Sequence, residues 1–248
     1  MIRAVFFDYG DTLVVARKRD EEIMAKALRE AFKALKRSGL GIGYAKFVER
    51  DIGIFGRYAK LEKIQKRDIP DQVKYEELVG LVLPGLEAAR RKSLATEANA
   101  AFWGGVASCY VLRRDTKSSL TRLKRMGLRM GVISNHHNAS ALRANVKTLG
   151  ISSYFSDVTA SSDLRYRKPD ARIFQRSTAL LGVRPSEAVF VGDSPVHDIV
   201  GARGVGMLTV MVVNSDTQAS PEGASSVEPD YTVRDLGEVP EIVERLNR

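Results

Sequence analysis

Three aspartates and one lysine, far apart in the chain, lie just beyond segments that are typical of buried strands. Asp8 directly follows a short apolar run, and Asp193 follows the run that ends at Val191. Asp198 lies five residues beyond Asp193 at the start of a predicted helix, and Lys168 follows a loop after another strand-like segment. Parallel sheets bind ligands beyond the carboxyl ends of their strands. If these strands are neighbours, the four side chains converge on one cleft.

The chemistry expected of such a cleft follows from its charges. Carboxylates packed together repel one another unless a cation joins them, and Mg²⁺ suits a site with few protein ligands, several waters and a substrate phosphate. A carboxylate such as Asp8 can attack phosphorus and form an acyl phosphate. Lys168 would offset the charge that develops on the phosphoryl oxygens. The hydroxyls of Thr12 and Ser134, with nearby backbone N–H groups, can hold those oxygens.

The elements that must position these residues alternate between strands and helices in the second half of the chain. Such alternation predicts an α/β fold with a doubly wound parallel sheet. The predicted strands cover residues 2–7, 129–133, 154–160, 188–191 and 208–213, and the predicted helices cover 118–126, 139–149, 170–181, 198–203 and 236–246. Residues 214–229 are rich in Ser, Pro, Gly and Glu and are predicted to form a loop.

Between the first strand and residue 112 the apolar residues recur at helical spacing, and no strand alternation interrupts them. Helices are predicted near residues 20–36, 44–65, 75–82 and 86–101. We therefore expect an α/β core of residues 1–15 and 113–248, with an inserted all-helical cap domain of residues 16–112.

Each candidate residue also has an ordinary structural interpretation. A Gly-Asp pair after a strand is often a turn, Asp198 could be a helix N-cap, and Ser134 could cap the next helix. Lys168 before Pro169 could be a simple loop charge. The order and spacing of the residues, rather than any one of them, favour a functional site.

Four segments in the same order resemble the motifs of the haloacid dehalogenase superfamily. They are Phe6-Phe7-Asp8-Tyr9-Gly10-Asp11-Thr12-Leu13, Val132-Ile133-Ser134-Asn135, Arg167-Lys168-Pro169-Asp170, and Val191-Gly192-Asp193-Ser194-Pro195-Val196-His197-Asp198-Ile199. The match spans residues 1–15 and about 115–215. The insert resembles the helical cap that one subfamily carries between its first and second motifs. The resemblance implies a Rossmann-like core and a hydrolase of the phosphatase type.

The resemblance also implies roles for individual residues. Asp8 would be the nucleophile. Magnesium would be held by Asp8, the backbone carbonyl of Gly10 and Asp193, with Asp198 in support. The phosphoryl group would be bound by Ser134 and Lys168, with Thr12 and Asn135 as further candidates.

The first motif departs from the family pattern at Gly10. Phosphatases of the family usually place there a second Asp, which protonates the leaving group and then activates water, and this chain has Asp11 one residue later. Asp11 could reach the site by a different turn. Alternatively, the substrate could have a good leaving group, or His136, His137 or a cap residue could carry the proton. Turnover could also be slow or absent.

Composition sets the remaining expectations. The single Cys109 cannot form an intrachain disulfide, which together with the absence of a signal-like N-terminus favours the cytoplasm. No apolar run is long enough to span a membrane. The net charge is +9, and the segment from Arg17 to Asp115 carries +7 of it. That segment could attract an anionic molecule, but it lacks the interleaved aromatic and basic residues typical of nucleic-acid binding.

The sequence thus favours a Mg²⁺-dependent phosphatase that acts on a small phosphorylated metabolite. The alternatives are a catalytically impaired binding or regulatory protein with the same fold and, less favoured, a 2-haloacid dehalogenase. Dehalogenases of the family also lack Asp at the position of Gly10, but they typically lack the Gly192-Asp193 element as well. The sequence does not indicate an oligomeric state.

Overall fold

The structure is a computed structural model that describes residues 1–65, 67–213 and 227–248. Most of the predicted loop at 214–229 lies outside these described residues. The chain divides into two compact units. The core unit contains Met1–Val15, Val111–His136 and Arg143–Arg248, and the helical unit contains Ala16–Tyr110 and His137–Leu142.

A parallel sheet forms the centre of the core unit. Within the described residues it has six strands in the order β5-β4-β1-β6-β7-β8. These strands are β1 (Ala4–Phe7), β4 (Arg129–Ser134), β5 (Asp157–Ala160), β6 (Ala188–Gly192), β7 (Leu208–Val212) and β8 (Tyr231–Val233). Two further strands, β2 (Val14–Ala16) and β3 (Tyr110–Leu112), pair with each other.

The strand order reverses at β1, which lies between β4 and β6. The register pairs Phe7 with Val132 of β4 and with Val191 of β6, so the three strands end at nearly the same level. The point of reversal is where sheets of this type open a crevice for ligands. Asp8 is the residue that follows β1 at this point.

Helices occur in both units. The helical unit contains α1 (Asp20–Arg37), α2 (Tyr44–Gln65), α3 (Asp71–Val82) and α4 (Ala88–Ala107). The core unit contains α5 (Thr116–Arg125), α7 (Ser161–Leu164), α8 (Ala171–Leu180), α9 (Gly201–Gly204) and α10 (Val239–Leu246), while α6 (Ala139–Thr148) crosses the division. Short 3₁₀ turns cover Ser152–Tyr154, Pro185–Glu187 and Leu236–Glu238, and a π-helical turn covers Pro195–Val200.

Burial explains why the central strands read as continuous apolar runs. Every residue of β1 and β6 is buried, as expected when both faces of a parallel sheet are covered. On one face Phe6 and Phe190 pack with Ile173 and Phe174 of α8. This arrangement confirms the α/β class and the parallel sheet predicted from the sequence.

The helical unit has a separate apolar core. Helix α1 contributes Ala27, Leu28, Ala31 and Leu35, which recur at three- and four-residue spacing and are buried. Aromatic residues of α2, α3 and α4 complete the core, among them Phe47, Tyr75 and Phe102. Cys109 is also buried.

The short elements are the ones that the sequence did not predict. Strands β2, β3 and β8 have three residues each, and helix α7 has four. The predicted insert was expected to be all-helical, but its ends at Ala16 and Tyr110–Leu112 lie in strands. Three residues are too few to show the alternation that identifies a strand.

None of the helices in the described part of the chain combines the length and apolar character that crossing a bilayer requires.

A close approach between α1 and α4 depends on Gly105. A Cβ atom at this position would lie 2.8 Å from Cα of Ala27, a backbone atom that cannot rotate away. We expect Gly105→Ala to lower the free energy of unfolding by about 1–3 kcal/mol, measured by urea denaturation of the full chain. Gly104→Ala is the matched control, because a Cβ atom at that neighbouring position meets nothing within 4 Å. Equal losses in the two variants would contradict the packing described here.

Candidate active site

A buried lysine joins two aspartates at the end of the central strands. Nζ of Lys168 lies 2.6 Å from Oδ1 of Asp8 and 2.7 Å from Oδ1 of Asp198. The side chains of Lys168 and Asp198 are 2% and 1% exposed. Burial alone would lower the pKa of Lys168, but the carboxylates of Asp198 and Asp8 outweigh it and raise that pKa above its ordinary value. The lysine is therefore charged and held by two carboxylates.

The backbone of Lys168 is fixed by the residue that follows Ser134. The side-chain oxygen of Asn135 accepts a hydrogen bond from the Lys168 backbone N–H at 2.8 Å, and its amide nitrogen donates to the Lys168 carbonyl at 3.1 Å. The peptide bond between Lys168 and Pro169 is cis. The Lys168 ammonium also lies 5.2 Å from the centre of the Phe190 ring. Strands β4 and β6 thus both contribute to placing this lysine.

A third carboxylate, that of Asp193, lies close to the carboxylates of Asp8 and Asp198. The Thr12 hydroxyl donates a hydrogen bond of 3.1 Å to Asp193. Burial raises the pKa of Asp193 to about 7, and the negative charges of Asp8 and Asp198 add to that rise. Burial also raises the pKa of Asp8 to about 6, even though the Lys168 ammonium favours its charged form. Burial therefore outweighs the stabilisation that the lysine gives to the charged form of Asp8.

The loop after β6 holds Asp198 in place. The Ser194 backbone N–H donates to Oδ2 of Asp198 at 3.0 Å, and the Ser194 hydroxyl accepts from the His197 backbone N–H at 3.2 Å. Gly192 is required here, because a Cβ atom at that position would overlap the Asp198 carboxylate. The Gly-Asp pair in the sequence therefore reflects a steric need as well as a carboxylate.

The three aspartates fit a divalent cation. Asp8, Asp193 and Asp198 each offer a carboxylate oxygen, and these oxygens lie within 4.8 Å of one another. The Lys168 ammonium contacts two of these carboxylates, and burial and repulsion push Asp8 and Asp193 towards protonation. A hard cation with oxygen ligands relieves both effects, so the donor set suits Mg²⁺.

A cleft of about 240 Å³ opens over these residues. Gly10, Asp11 and Ser134 line it together with the three aspartates and Lys168. The remaining lining residues are Asn135, Ser194 and His197. The residues that the sequence selected as nucleophile, metal ligands and phosphate ligands thus lie within one unit, and all but Thr12 line this cleft.

Two of the expected phosphate ligands already have partners. The amide of Asn135 is engaged by the Lys168 backbone, and the hydroxyl of Thr12 is directed at Asp193. Sequence reasoning selected both residues for the phosphoryl group, whereas the geometry favours a role in orienting Lys168 and Asp193. Ser194, which holds Asp198, was not selected, and its place directly after Gly192-Asp193 was the signal available.

The backbone at Gly10 and Asp11 shows how this chain differs from the family's first motif. Asp11 adopts a left-handed conformation with φ of 52°, whereas Gly10 has no positive φ. A Cβ atom at Gly10 would meet nothing within 4 Å. Asp11 is exposed and lines the cleft. An Asp side chain would therefore fit at position 10, and the residue that needs unusual backbone geometry is Asp11.

Comparisons with known proteins show which family the chain resembles. The family model for haloacid dehalogenase-like hydrolases matches residues 2–206. A relative from Methanopyrus kandleri, named glyceraldehyde 3-phosphate phosphatase, is 28% identical over 99% of both chains. A protein of the same name from Methanocaldococcus jannaschii is 28% identical over the full length of both.

Solved structures show the same fold. The 2-haloacid dehalogenase of Pseudomonas syringae matches with a TM-score of 0.74 and 26% identity, over 99% of this chain and 100% of the other. A haloacid dehalogenase-type phosphatase from Thermococcus onnurineus matches with a TM-score of 0.65 and 25% identity, over 98% of both chains. The family model covers most of the sequence, and the parallel sheet and four motifs agree with it, so this chain belongs to the haloacid dehalogenase-like hydrolases.

Proposed function

We propose that this protein hydrolyses phosphomonoesters through a phosphoryl group carried on Asp8. The observation that supports this most directly is the pairing of Lys168 with Oδ1 of Asp8 at 2.6 Å. That contact orients the carboxylate and leaves its second oxygen to act as the nucleophile. The carboxylates of Asp193 and Asp198 supply the cation site that two anionic reactants require.

The reaction would proceed in two displacements. First, the second oxygen of Asp8 attacks phosphorus, the ester P–O bond breaks, and the alcohol departs with a proton from Asp11, our candidate proton carrier. The Lys168 ammonium opposes the charge on the phosphoryl oxygens during this step. Water then gives a proton to Asp11 and attacks phosphorus, and the bond from phosphorus to Asp8 breaks, which releases inorganic phosphate and restores the Asp8 carboxylate.

Magnesium would be held by Asp8, Asp193 and the backbone carbonyl of Gly10, with Asp198 in support. When bound, the ion would neutralise the repulsion between the Asp8 carboxylate and the anionic substrate. Ser134 lines the cleft and is the side-chain hydroxyl available to the phosphoryl group, while Thr12 orients Asp193 and Asn135 orients Lys168.

The substrate proposal comes from the full-length relatives. Two of them are named glyceraldehyde 3-phosphate phosphatase, and a shorter match from Halopiger xanaduensis is named ribulose-1,5-bisphosphate 5-phosphatase. We therefore propose a small phosphorylated metabolite as substrate, with glyceraldehyde 3-phosphate as the first compound to test. The helical unit would act as the cap that selects it, in keeping with the domain limits inferred from the sequence.

The source of the proton for the leaving group differs from the family pattern, because Gly10 replaces the usual Asp. Two carboxyl groups of the first motif line the cleft, those of Asp8 and Asp11. The left-handed backbone of Asp11 directs its side chain differently from that of an Asp at position 10. Asp11 is thus our candidate proton carrier for alcohols that leave poorly.

The nucleophile is tested by Asp8→Asn. Removal of the nucleophilic oxygen should abolish Mg²⁺-dependent release of phosphate from glyceraldehyde 3-phosphate and p-nitrophenyl phosphate, a loss of at least about 10³-fold. Asp20→Asn, at the exposed start of α1, is the control for the same chemical change and should retain activity. A wild-type chain that binds phosphate without turnover would favour a regulatory protein, and turnover of 2-chloropropionate would favour a dehalogenase.

Proton competition gives a prediction for metal affinity. With a pKa of about 7 at Asp193 and about 6 at Asp8 in the metal-free site, protons occupy the ligands as the pH falls. We expect the apparent Mg²⁺ affinity to fall about tenfold between about pH 8 and about pH 6, measured by titration calorimetry. In Asp193→Asn the affinity should be weaker and most of this pH dependence lost. A pH-independent affinity in the wild-type chain would contradict the assignment.

The consequence of Gly10 is tested by adding the missing carboxyl group. Gly10→Asp should raise kcat/KM for glyceraldehyde 3-phosphate at least about tenfold more than for p-nitrophenyl phosphate, whose leaving group needs little protonation. Asp11→Asn should do the opposite and slow the alkyl phosphate selectively. Equal effects on the two substrates would show that a leaving-group acid does not limit this enzyme.

A further inference from the structure

A buried charged cluster lies in the helical unit and includes one residue from the segment after β4. Nδ1 of His137 lies 3.0 Å from Oδ1 of Asp68 and 3.7 Å from Oε1 of Glu62. Nζ of Lys74 lies 3.1 Å from the same Glu62 oxygen and 3.0 Å from Oδ1 of Asp71. The Asp68 side chain is 0% exposed and that of Lys74 is 4% exposed. We call these five residues the anchor cluster.

Backbone hydrogen bonds also connect the segment that carries His137 to the anchor cluster. The Asp71 backbone N–H donates to the carbonyl of His137 at 3.2 Å, and the Ile69 backbone N–H donates to Glu62 at 2.9 Å. Trp103 donates from its indole nitrogen to Asp71 at 3.0 Å. His137 is therefore held by its main chain and its side chain together.

The residues just before His137 are held by the core unit. Asn135 makes the two hydrogen bonds with the Lys168 backbone described above. The carbonyl of His136 accepts a hydrogen bond from the Ser162 backbone N–H at 3.3 Å. Asn135 and His136 therefore make their hydrogen bonds within the core unit, whereas His137 makes its contacts within the helical unit.

The anchor cluster brings basic side chains to buried carboxylates. Lys74 lies against Glu62 and Asp71, and His137 lies against Asp68 and Glu62. Burial raises the pKa of Asp71, while Lys74 and His137 act against that rise. A buried carboxylate that loses its partner is costly, so these contacts give the segment that carries His137 a defined position.

We infer that His137 is a positioning residue that fixes the loop carrying Ser134 and Asn135 by its contacts with Asp68 and Glu62. This inference rests on the proposed function, because it assigns the loop to phosphate binding. Loss of these contacts would loosen Asn135, and through it Lys168, and would weaken the hold on the phosphoryl group. His137 itself touches no reacting atom.

The inference is tested with His137→Asn, which keeps a neutral donor near the position of Nδ1, and with Asp68→Asn, which removes the buried partner. Both variants should raise KM for p-nitrophenyl phosphate about tenfold and change kcat less than about threefold. Glu77→Gln is the control, since it breaks an ion pair with Arg57 in the same unit that involves no cluster residue. It should leave both constants unchanged.

The split between KM and kcat separates positioning from general structural damage. Glu62, Asp68, Asp71 and Lys74 are all retained in His137→Asn. A His137→Asn variant that lowers kcat and leaves KM unchanged, or a Glu77→Gln variant with the same KM defect, would overturn the inference.

Hydrogen exchange keeps this test independent of the phosphatase proposal. In His137→Asn the amides of Asp71 and of residues 135–136 should exchange faster than in the wild-type chain, whether or not the protein turns over substrate. Absent turnover in the wild type would count against the proposed function alone. Unchanged exchange at these amides, at any level of activity, would count against the role of His137.

Discussion

The site depends on one buried ammonium held between two carboxylates. Lys168 lies within 2.7 Å of both Asp8 and Asp198, and the loops that surround it serve to keep it there. Asn135 holds its backbone, and Ser194 and Gly192 together fix Asp198. Burial would otherwise favour the protonated form of Asp8. The ammonium, together with the divalent cation that we propose, would allow Asp8 to remain an anion in a buried place.

Both units place buried carboxylates beside basic side chains. In the core unit Lys168 contacts Asp8 and Asp198, and these two carboxylates together with Asp193 could hold a metal ion. In the anchor cluster Lys74 contacts Glu62 and Asp71, and His137 lies against Asp68 and Glu62. We propose chemistry for the first arrangement, which lines a cleft, and positioning for the second.

The sequence predicted the sheet and the family because both leave strong local signals. Central parallel strands are continuous apolar runs, and the motifs occur directly after them in the expected order. The partners of individual polar groups could not be predicted. That Asn135 binds the Lys168 backbone depends on a contact across 33 residues, and that Thr12 binds Asp193 depends on one across 181. The pairing of His137 with Asp68 likewise depends on how the helical unit folds around a segment distant in sequence.

The central claim is that Asp8 carries the phosphoryl group during turnover. It is tested most directly by acid quenching of the working enzyme with glyceraldehyde 3-phosphate and Mg²⁺, followed by mass spectrometry of its peptides. The account predicts one phosphoryl group on the peptide that contains Asp8, sensitive to mild base as an acyl phosphate must be. Turnover accompanied by a phosphoryl group on another residue, or undiminished turnover by Asp8→Asn, would contradict it.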